Sequence, residues 1–466
     1  MGRPLTVMAE LKVGLVSLGC PKNLVDSEVM LGLLEQAGCQ ITTDEAEADV
    51  LIINTCGFIE SAQREAINTI LEMSQYKELG RCRALIVAGC LVQRFAKELA
   101  AELPEIDALI GVGEVHRIVP VIEKVLGGER VEAMGTPSFL YSESWPRKLS
   151  TPGHYAYIKV SEGCDNRCSY CTIPDIRGRF RSRPIESVVR EAEALVQAGV
   201  KEIILIAQDT TRYGEDIYGT PVLADLLKEL TQISNLPWIR WMYGYPTRIT
   251  PELIRVMAES PKICSYIDLP LQHIDRTVLQ QMNRPADPDQ ARELISDLRK
   301  NIPDLTLRTS FIVGYPGESE EAFNRLLAFL EEIRFDRVGA FTYSAEQGTK
   351  AAELPELIPE DIRIDRYNRL MECQQQISLE KNQEWVGKSL DVLVEGFTVC
   401  QGMNNNNEIT VEAYGRSKRE APGIDGLIYI QNPLTTRLSA GDIVKIKICQ
   451  ADHYDLIGEV QRESAK

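Results

Sequence analysis

The sequence predicts an α/β chain of three domains: an N-terminal parallel α/β domain over residues 1–140, a central partial (β/α)6 barrel with a trailing helix over 150–384, and a small antiparallel β-barrel over 385–466. Short apolar runs alternate with amphipathic stretches from the N-terminus to about Ser344, which is typical of βα units and a parallel sheet. Beyond residue 385 the pattern changes to short alternating strands separated by turns. A length of 466 residues fits about three domains.

Composition and charge limit the class of protein. A hydrophobic content of 44% with 26% charged residues is typical of a soluble globular protein. No apolar stretch is long enough to span a bilayer and the N-terminal residues lack a signal peptide, so a cytoplasmic location is expected. The net charge of -17 disfavours a purely RNA-binding protein and favours a basic partner. In a reducing compartment the 12 cysteines are expected to be metal ligands, catalytic thiols or buried side chains.

Three apolar runs in the first domain are each followed within three residues by a cysteine. The runs are Val13–Leu18, Val50–Ile53 and Ala84–Ala88, and the cysteines are Cys20, Cys56 and Cys90. The carboxyl ends of parallel strands lie along one edge of a sheet, so the three thiols are expected to converge on one crevice. The alternative is three independent buried cysteines. Cys39 and Cys82 lack this placement and are expected to be structural.

The central domain is predicted to follow a Gly- and Pro-rich linker at Gly127–Gly153. Its candidate strands are Tyr155–Val160, Glu202–Ala207, Ile239–Tyr243, Ser265–Leu269, Leu307–Val313 and Arg337–Thr342. Six β/α units in this span fit a partial barrel, since an eight-unit barrel typically needs about 250 residues. Residues Pro359–Trp385 are predicted as one long polar helix.

The last domain contains five short alternating segments. They are Ser389–Val394, Glu408–Ala413, Leu427–Ile430, Ile443–Ile448 and Leu456–Val460. Turn-rich segments such as Gln401–Asn405 separate them. Five strands in so short a span predict a small barrel, which is commonly a recognition module.

The strongest local motif is Cys164–Cys171, a Cys-x3-Cys-x2-Cys pattern just after the first barrel strand. Three thiolates on one loop can hold three irons of a cuboidal cluster and leave the fourth iron open for a substrate or cofactor. Zinc is the alternative, but a structural zinc needs four ligands and none of the four histidines lies near this loop in sequence. A disulfide is a weaker alternative.

This motif, with Tyr170 before its last cysteine, resembles the radical S-adenosylmethionine superfamily. Three later segments resemble the cofactor-contacting strand ends of that superfamily: Leu205–Asp209, Leu269–His273 and Thr309–Glu318. The resemblance implies a [4Fe-4S] cluster on Cys164, Cys168 and Cys171, whose open iron chelates S-adenosylmethionine for cleavage to a 5′-deoxyadenosyl radical. It implies cofactor contacts from Tyr170, Gln208, Gln272, Arg308 and Gly314, and it leaves other catalytic residues unassigned.

The whole chain resembles the radical methylthiotransferases. The Cys20, Cys56 and Cys90 set precedes the radical domain, and Gly415-Arg416 with Ala421–Gly426 and Tyr454–Gly458 resemble a TRAM domain. The resemblance implies two [4Fe-4S] clusters, the second on the N-terminal thiols supplying or relaying sulfur, and a reductant such as flavodoxin or ferredoxin. A non-catalytic iron–sulfur scaffold with a working tail barrel is the alternative of a different class.

Two branches of that family differ in substrate. Ser17–Glu28, Ile173–Arg183 and Tyr266–His273 resemble the RimO branch, which modifies the β-carbon of an aspartate in ribosomal protein S-twelve, either free or in the small subunit. The MiaB branch, which modifies an adenosine in tRNA, usually has Gln-Met-Asn after the first cysteine, where this chain has Pro21-Lys22-Asn23. Residues 385–466 carry nine Lys or Arg against eleven Asp or Glu, which suits a basic protein better than RNA.

Two further features are left with two interpretations each. The Arg177–Arg183 run is either a solvated or phosphate-facing loop or a substrate or cofactor contact. His273 is expected to be a core or supporting residue rather than a metal ligand.

Overall fold

The computed structural model describes Met8 and residues 10–285, 287–401, 409–431 and 437–461; of 399–401 and 409–411 it describes the backbone only. Beyond Gln401 the predicted turn at Gln401–Asn405 lies outside these residues. Within them, no helix is long and apolar enough to cross a membrane. The predicted three-part α/β fold is confirmed, and the long polar helix is present as Glu360–Gln383.

The first part is a six-stranded parallel sheet in the order β2-β1-β3-β4-β5-β6. Its strands are β1 Lys12–Ser17, β2 Gln40–Thr42, β3 Val50–Thr55, β4 Ala84–Gly89, β5 Ala108–Ile110 and β6 Val131–Ala133. Its helices are α1 Pro21–Gln36, α2 Glu60–Ser74, α3 Tyr76–Leu79, α4 Cys90–Glu102 and α5 Ile118–Leu126. Strands β3 and β4 are buried along their whole length, which explains their continuous apolar runs. Strands β2, β5 and β6 have only three residues each, too few for a periodic signal.

The predicted linker at Gly127–Gly153 is packed rather than extended. It contributes strand β6 to the first sheet, and Arg147 contacts both neighbouring domains. The Arg147 guanidinium lies 2.6 Å from Glu28 of α1 and 2.6 Å from Glu191 of the central domain. The linker, predicted from its glycines and prolines, therefore joins two domains through buried charges. Its composition does not show these charged contacts.

The central part is a half barrel of six parallel strands, in the two runs β11-β10-β7 and β12-β13-β14 joined at the Ile239–Ile263 bridge. Its strands are β7 Tyr155–Lys159, β10 Glu202–Ile206, β11 Trp238–Trp241, β12 Tyr266–Asp268, β13 Thr306–Val313 and β14 Arg337–Thr342, with the short antiparallel pair β8 Ser161–Glu162 and β9 Arg181–Ser182. Its helices are α6 Ile173–Arg177, α7 Ile185–Gln197, α8 Glu215–Tyr218, α9 Leu223–Thr231, α10 Pro251–Glu259, α11 Arg276–Gln281, α12 Pro288–Asn301, α13 Glu320–Ile333 and α14 Glu360–Gln383. All six predicted strands are present; Arg337–Thr342 matches at both ends, and the ends of the others differ by at most two residues.

The tail is a closed barrel in the order β15-β16-β17-β19-β18. Its strands are β15 Ser389–Gln401, β16 Ile409–Arg416, β17 Ile428–Gln431, β18 Ile443–Ala451 and β19 Leu456–Val460. Four pairs are antiparallel, and β17 runs parallel to β19. Five strands cannot alternate in direction around a closed ring, so one parallel pair is unavoidable.

Buried ion pairs join the tail to the half barrel. Glu202 of β10 accepts from Arg240 of β11 at 2.7 Å and from Arg416 of the tail at 2.8 Å, and all three side chains are 0% exposed. Burial acts to raise the pKa of Glu202, but the two guanidinium groups outweigh it and the pKa is lowered. Asp425 of the tail also accepts from the Tyr266 hydroxyl at 2.7 Å. The tail is therefore held against the barrel by charges that have no access to water.

Replacing Glu202 with Ala is expected to lower the free energy of unfolding by about 3–5 kcal/mol, because Arg240 and Arg416 would stay buried without their carboxylate. Denaturant unfolding of the purified protein measures the loss. Glu259→Ala is the matched control, since Glu259 pairs with Arg255 on the surface and should unfold at nearly the wild-type denaturant concentration. Equal midpoints for the two variants would contradict the prediction.

Candidate functional site

The three N-terminal thiols lie at one edge of the first sheet. Strands β1, β3 and β4 are neighbours, and Cys20, Cys56 and Cys90 follow their carboxyl ends. A Cβ atom placed on Gly19 would lie 3.3 Å from the Cys56 sulfur, so the first two strand ends are in contact. Gly89, with a φ of 101°, turns the chain directly from β4 into the helix that begins at Cys90.

Asn23 ties these strand ends together. Its amide Nδ2 donates to the carbonyl of Leu18 at 3.1 Å and to that of Thr55 at 3.0 Å. Its Oδ1 lies 3.6 Å from the Cys90 sulfur. An asparagine buried to 1% exposure thus fixes the relative positions of the strand ends that precede Cys20 and Cys56 and accepts from the third thiol.

Arg177 reaches this edge from the central domain. Its guanidinium lies 2.9 Å from Glu162 and 3.3 Å from Asp26. Its Nη2 lies 2.5 Å from the Asn23 Oδ1 and 3.6 Å from the Cys90 sulfur. Arg177 and Arg183 are each 1% exposed, whereas Arg179 between them is exposed, so only the two ends of the Arg177–Arg183 run are withdrawn from solvent. The carboxylates of Asp26 and Glu162, which lie 151 and 15 residues from Arg177 in the sequence, make its burial possible.

Arg183, at the end of the same run, holds the packed linker. Its guanidinium lies 2.5 Å from Glu191 and stacks 4.4 Å from the centre of the Tyr141 ring. The run therefore serves the contact between domains at both of its ends. Neither end supports the prediction of a phosphate-facing loop.

Burial and nearby cations act in opposite directions on the N-terminal thiols. Burial raises the pKa of Cys90 to about 12 and also raises that of Cys56. Burial acts in the same sense on Cys20, but the Lys22 ammonium and the Arg177 guanidinium outweigh it, so the pKa of Cys20 is lowered. Of the three thiols, Cys20 is the one whose surroundings already favour the thiolate.

The second thiol set lies on the loop after β8. The Cys164 amide donates to the Gly178 carbonyl at 3.1 Å, and the Cys171 amide donates to the Cys168 carbonyl at 3.1 Å. The Ser169 hydroxyl donates to the Gln281 carbonyl at 2.7 Å and lies 2.8 Å from the Tyr315 hydroxyl. These contacts with later parts of the barrel hold the loop in one conformation. Burial raises the pKa of Cys164 to about 11 and raises that of Cys171 further.

Arg284 is a site residue that sequence reasoning missed. Its Nη1 lies 3.7 Å from the Cys168 sulfur and 3.3 Å from the Tyr170 hydroxyl, and its Nη2 donates to the Pro270 carbonyl at 2.6 Å. No motif precedes it in sequence, and only the fold brings it to the loop. It sets a buried positive charge beside the second thiol set, as Arg177 does beside the first.

The predicted cofactor contacts stand at the strand ends of the half barrel or on the cysteine loop. Gln208 follows β10, and its buried Oε1 accepts no hydrogen bond from any described residue. Gln272 has a φ of 71°, and its backbone bridges to β13 by bonds to Ser310 and Ile312 of 2.8 Å each. Gly314 has a φ of 71° and donates its amide to the Glu318 carboxylate. Arg308 already pairs with Asp268 at 2.7 Å. The cofactor contacts remain predictions for all five residues: Tyr170, Gln208, Gln272, Arg308 and Gly314.

The residues present fit an iron–sulfur cluster and a polar cofactor. Within the described ranges, no three His, Cys, Asp or Glu side chains are gathered around one metal-ion position. A cuboidal cluster does not need that, because each thiolate binds a different iron. The Gln208 Oε1, which accepts no hydrogen bond from the described residues, is free to accept one from a polar ligand. His273 is buried; its Nδ1 accepts from the Asp275 amide at 2.9 Å and its Nε2 faces Glu318, in agreement with a supporting role.

One short segment touches the surroundings of both thiol sets. The ring of Tyr243, which follows β11, lies 3.3 Å beneath the ammonium of Lys22, two residues after Cys20. The ring of Tyr245 stacks with the Arg284 guanidinium at 4.5 Å, beside Cys168. The two thiol sets therefore face a common region at the carboxyl ends of the barrel strands, where such barrels carry out chemistry.

Three known sequence families match consecutive parts of the chain. They are the uncharacterized protein family UPF0004 over residues 12–111, the radical SAM superfamily over 158–330 and the TRAM domain over 386–460. Fold, thiol sets and family matches together define a radical S-adenosylmethionine enzyme with a TRAM domain.

Full-length relatives identify the family. The ribosomal protein uS12 methylthiotransferase RimO of Heliobacterium modesticaldum is 54% identical over 450 residues, which cover 96% of this chain and 95% of that protein. The protein of the same name from Desulforamulus reducens is 54% identical over 453 residues, covering 96% and 99%. The chain belongs to the RimO family of radical SAM methylthiotransferases. The predicted RimO branch is confirmed and the MiaB alternative is not favoured.

Solved structures agree on the fold. The radical S-adenosylmethionine methyltransferase TsrM of Kitasatospora setae superposes with a TM-score of 0.54 at 14% identity, covering 85% of this chain and 79% of that one. The cobalamin-dependent radical enzyme OxsB gives a TM-score of 0.51 at 13% identity, covering 78% and 56%. At these identities the likeness concerns the architecture.

Proposed function

We propose that this protein attaches a methylthio group to the β-carbon of an aspartate in ribosomal protein S-twelve (uS12), either free or in the small subunit, in the cytoplasm. The observation that carries the proposal is 54% identity over 96% of the chain to a protein named for this substrate. The net charge of -17 supports it, because an acidic enzyme suits a basic ribosomal protein.

We further propose that Cys164, Cys168 and Cys171 hold one [4Fe-4S] cluster and that Cys20, Cys56 and Cys90 hold a second. With S-adenosylmethionine bound, these groups would supply reductive cleavage of the cofactor and sulfur for transfer. Flavodoxin or ferredoxin is the proposed electron donor. Arg284 and Arg177 each set a buried guanidinium beside one thiol set, where a positive charge stabilises anionic ligands.

Protein reconstituted anaerobically with iron and sulfide is expected to bind about twice the iron of a variant in which Cys164, Cys168 and Cys171 are all replaced by Ala. The same halving is expected when Cys20, Cys56 and Cys90 are replaced, because each set would hold one cluster. Iron and sulfide assays measure both. Wild-type iron content in the second variant would contradict the N-terminal cluster.

Incubation with both candidate substrates tests the function. The reconstituted enzyme, a reductant and S-adenosylmethionine with a labelled methyl group are mixed with uS12 and tRNA together. Label is expected on uS12, at an aspartate whose mass increases by one methylthio group in place of hydrogen. Label on tRNA alone would overturn the substrate while leaving the reaction class intact. Label on neither would favour the scaffold alternative.

A further inference from the structure

Among the described residues the buried Lys22 ammonium has no carboxylate partner, and its main electrostatic partner is the thiol of Cys20, two residues before it. Its side chain belongs to a residue only 7% exposed, and its ammonium rests 3.3 Å above the centre of the Tyr243 ring. Among the described residues, no carboxylate lies within ion-pair distance of this ammonium and no hydrogen bond leaves it. Burying an ammonium without a partner is costly, and a tyrosine ring compensates only a part of the lost hydration.

The position of Lys22 in its helix adds to this cost. Lys22 lies in the first turn of α1, behind Pro21, and that turn contains no acidic residue. The positive end of the helix dipole lies there, so a cation in this turn is unfavourable. The nearby carboxylates are already engaged: Asp268 pairs with Arg308, and Glu162 pairs with Lys159 and Arg177. A residue that breaks local rules without a structural gain is expected at a functional site.

The surroundings of Lys22 also carry backbone strain. Tyr243, beneath the ammonium, has a φ of 65°, and Gln272 at the end of the next strand has a φ of 71°. Neither is a glycine, and such conformations in bulky residues concentrate at ligand sites. The Tyr243 amide donates to the Asp268 carboxylate at 3.1 Å, which fixes the strained turn under Lys22.

The other cations near the two thiol sets are already committed. Arg177 pairs with two carboxylates, and Arg308 pairs with Asp268. Arg284 donates to the Pro270 carbonyl and to the cysteine loop. Among the described residues in the region faced by both thiol sets, Lys22 is therefore the cation that has neither a carboxylate partner nor a hydrogen bond, and it can bind an incoming anion.

We propose that the Lys22 ammonium binds the side-chain carboxylate of the substrate aspartate and presents its β-carbon between the two thiol sets. This assignment rests on the proposed function. A carboxylate could also come from the methionyl group of S-adenosylmethionine, and the experiment separates the two sources. Lys22 is then a specificity-determining residue, since an amide in place of the carboxylate loses the charge-assisted bond.

The test compares wild type, Lys22→Met and Lys22→Arg, each reconstituted with iron and sulfide. A fluorescent uS12 peptide with the target aspartate, and a second peptide with asparagine there, are titrated by anisotropy. Lys22→Met should weaken binding of the aspartate peptide about 10- to 100-fold and leave the asparagine peptide unchanged. Lys22→Arg should restore most of the loss. Iron content and the affinity for S-adenosylmethionine should equal those of the wild type.

If the wild type prefers the aspartate peptide, four results would overturn the role of Lys22 and leave the proposed function standing. They are the same preference in Lys22→Met, equal weakening of both peptides, a weakened S-adenosylmethionine affinity with normal peptide binding, and loss of half the iron in Lys22→Met. A wild type that binds neither peptide and does not modify uS12 would overturn the proposed function and the role of Lys22 with it.

Discussion

Cys168→Ala is expected to abolish formation of 5′-deoxyadenosine. Cys168 is the middle thiol of the second set, and its sulfur lies beside the Arg284 guanidinium. Without it the loop offers two thiols, so no complete cluster can pass an electron to S-adenosylmethionine. Chromatography of the nucleoside products, after anaerobic incubation with a reductant, measures the loss, which should reach the background of a reaction without enzyme.

Cys449→Ala is the control for this variant. Cys449 is exposed on strand β18 of the tail, in a different domain from either thiol set, so its removal should leave cofactor cleavage at the wild-type rate. Cleavage by Cys168→Ala at a rate near that of the control would show that this loop does not carry the cluster that receives the cofactor.

Cys56→Ala is expected to lose methylthio transfer while it still cleaves S-adenosylmethionine. Cys56 follows β3 in the first sheet. Within the part of the chain that the structure describes, it makes no contact with the Cys164–Cys171 loop. The second thiol set should therefore assemble normally. Mass spectrometry of uS12 and chromatography of 5′-deoxyadenosine from one reaction report the two activities side by side.

Cys82→Ala is the matched variant in the same domain. Its thiol is buried in the apolar core behind the sheet rather than at a strand end. It should keep both activities, with some loss of stability from the cavity it leaves. Robust methylthiolation by Cys56→Ala would show that the N-terminal thiols are structural.

The sequence predicts the parts of this fold that depend on short-range pattern. Runs such as Val50–Ile53 are apolar throughout because both faces are covered, and a cysteine after such a run must lie at the sheet edge. The three-residue strands of the first sheet, such as Gln40–Thr42, give no periodic signal and were missed.

The sequence does not predict which charges are buried. Arg177 and Arg183 look like a basic surface loop until Asp26, Glu162 and Glu191 are placed around them. The charge balance of the tail is a weak predictor of its partner for the same reason. Arg416, Glu420 and Asp425 count toward it, although their side chains pair with residues of the half barrel. Several of these pairs, such as Arg177 with Asp26 and Arg416 with Glu202, join residues far apart in the chain, and no local motif records them.

The buried contact of Glu202 with Arg240 and Arg416 restricts how this chain can be recombined. A foreign tail without an arginine at the position of Arg416 would leave the Glu202 carboxylate with half of its partners in a dry interface. In a chimera made by exchanging residues 385–466 alone, the half barrel would therefore be destabilised, whatever the tail recognises. Tails can therefore be exchanged between family members only if the carboxylate of the half barrel and the arginine of the tail are exchanged together. In this sense the half barrel and the tail evolve as one unit.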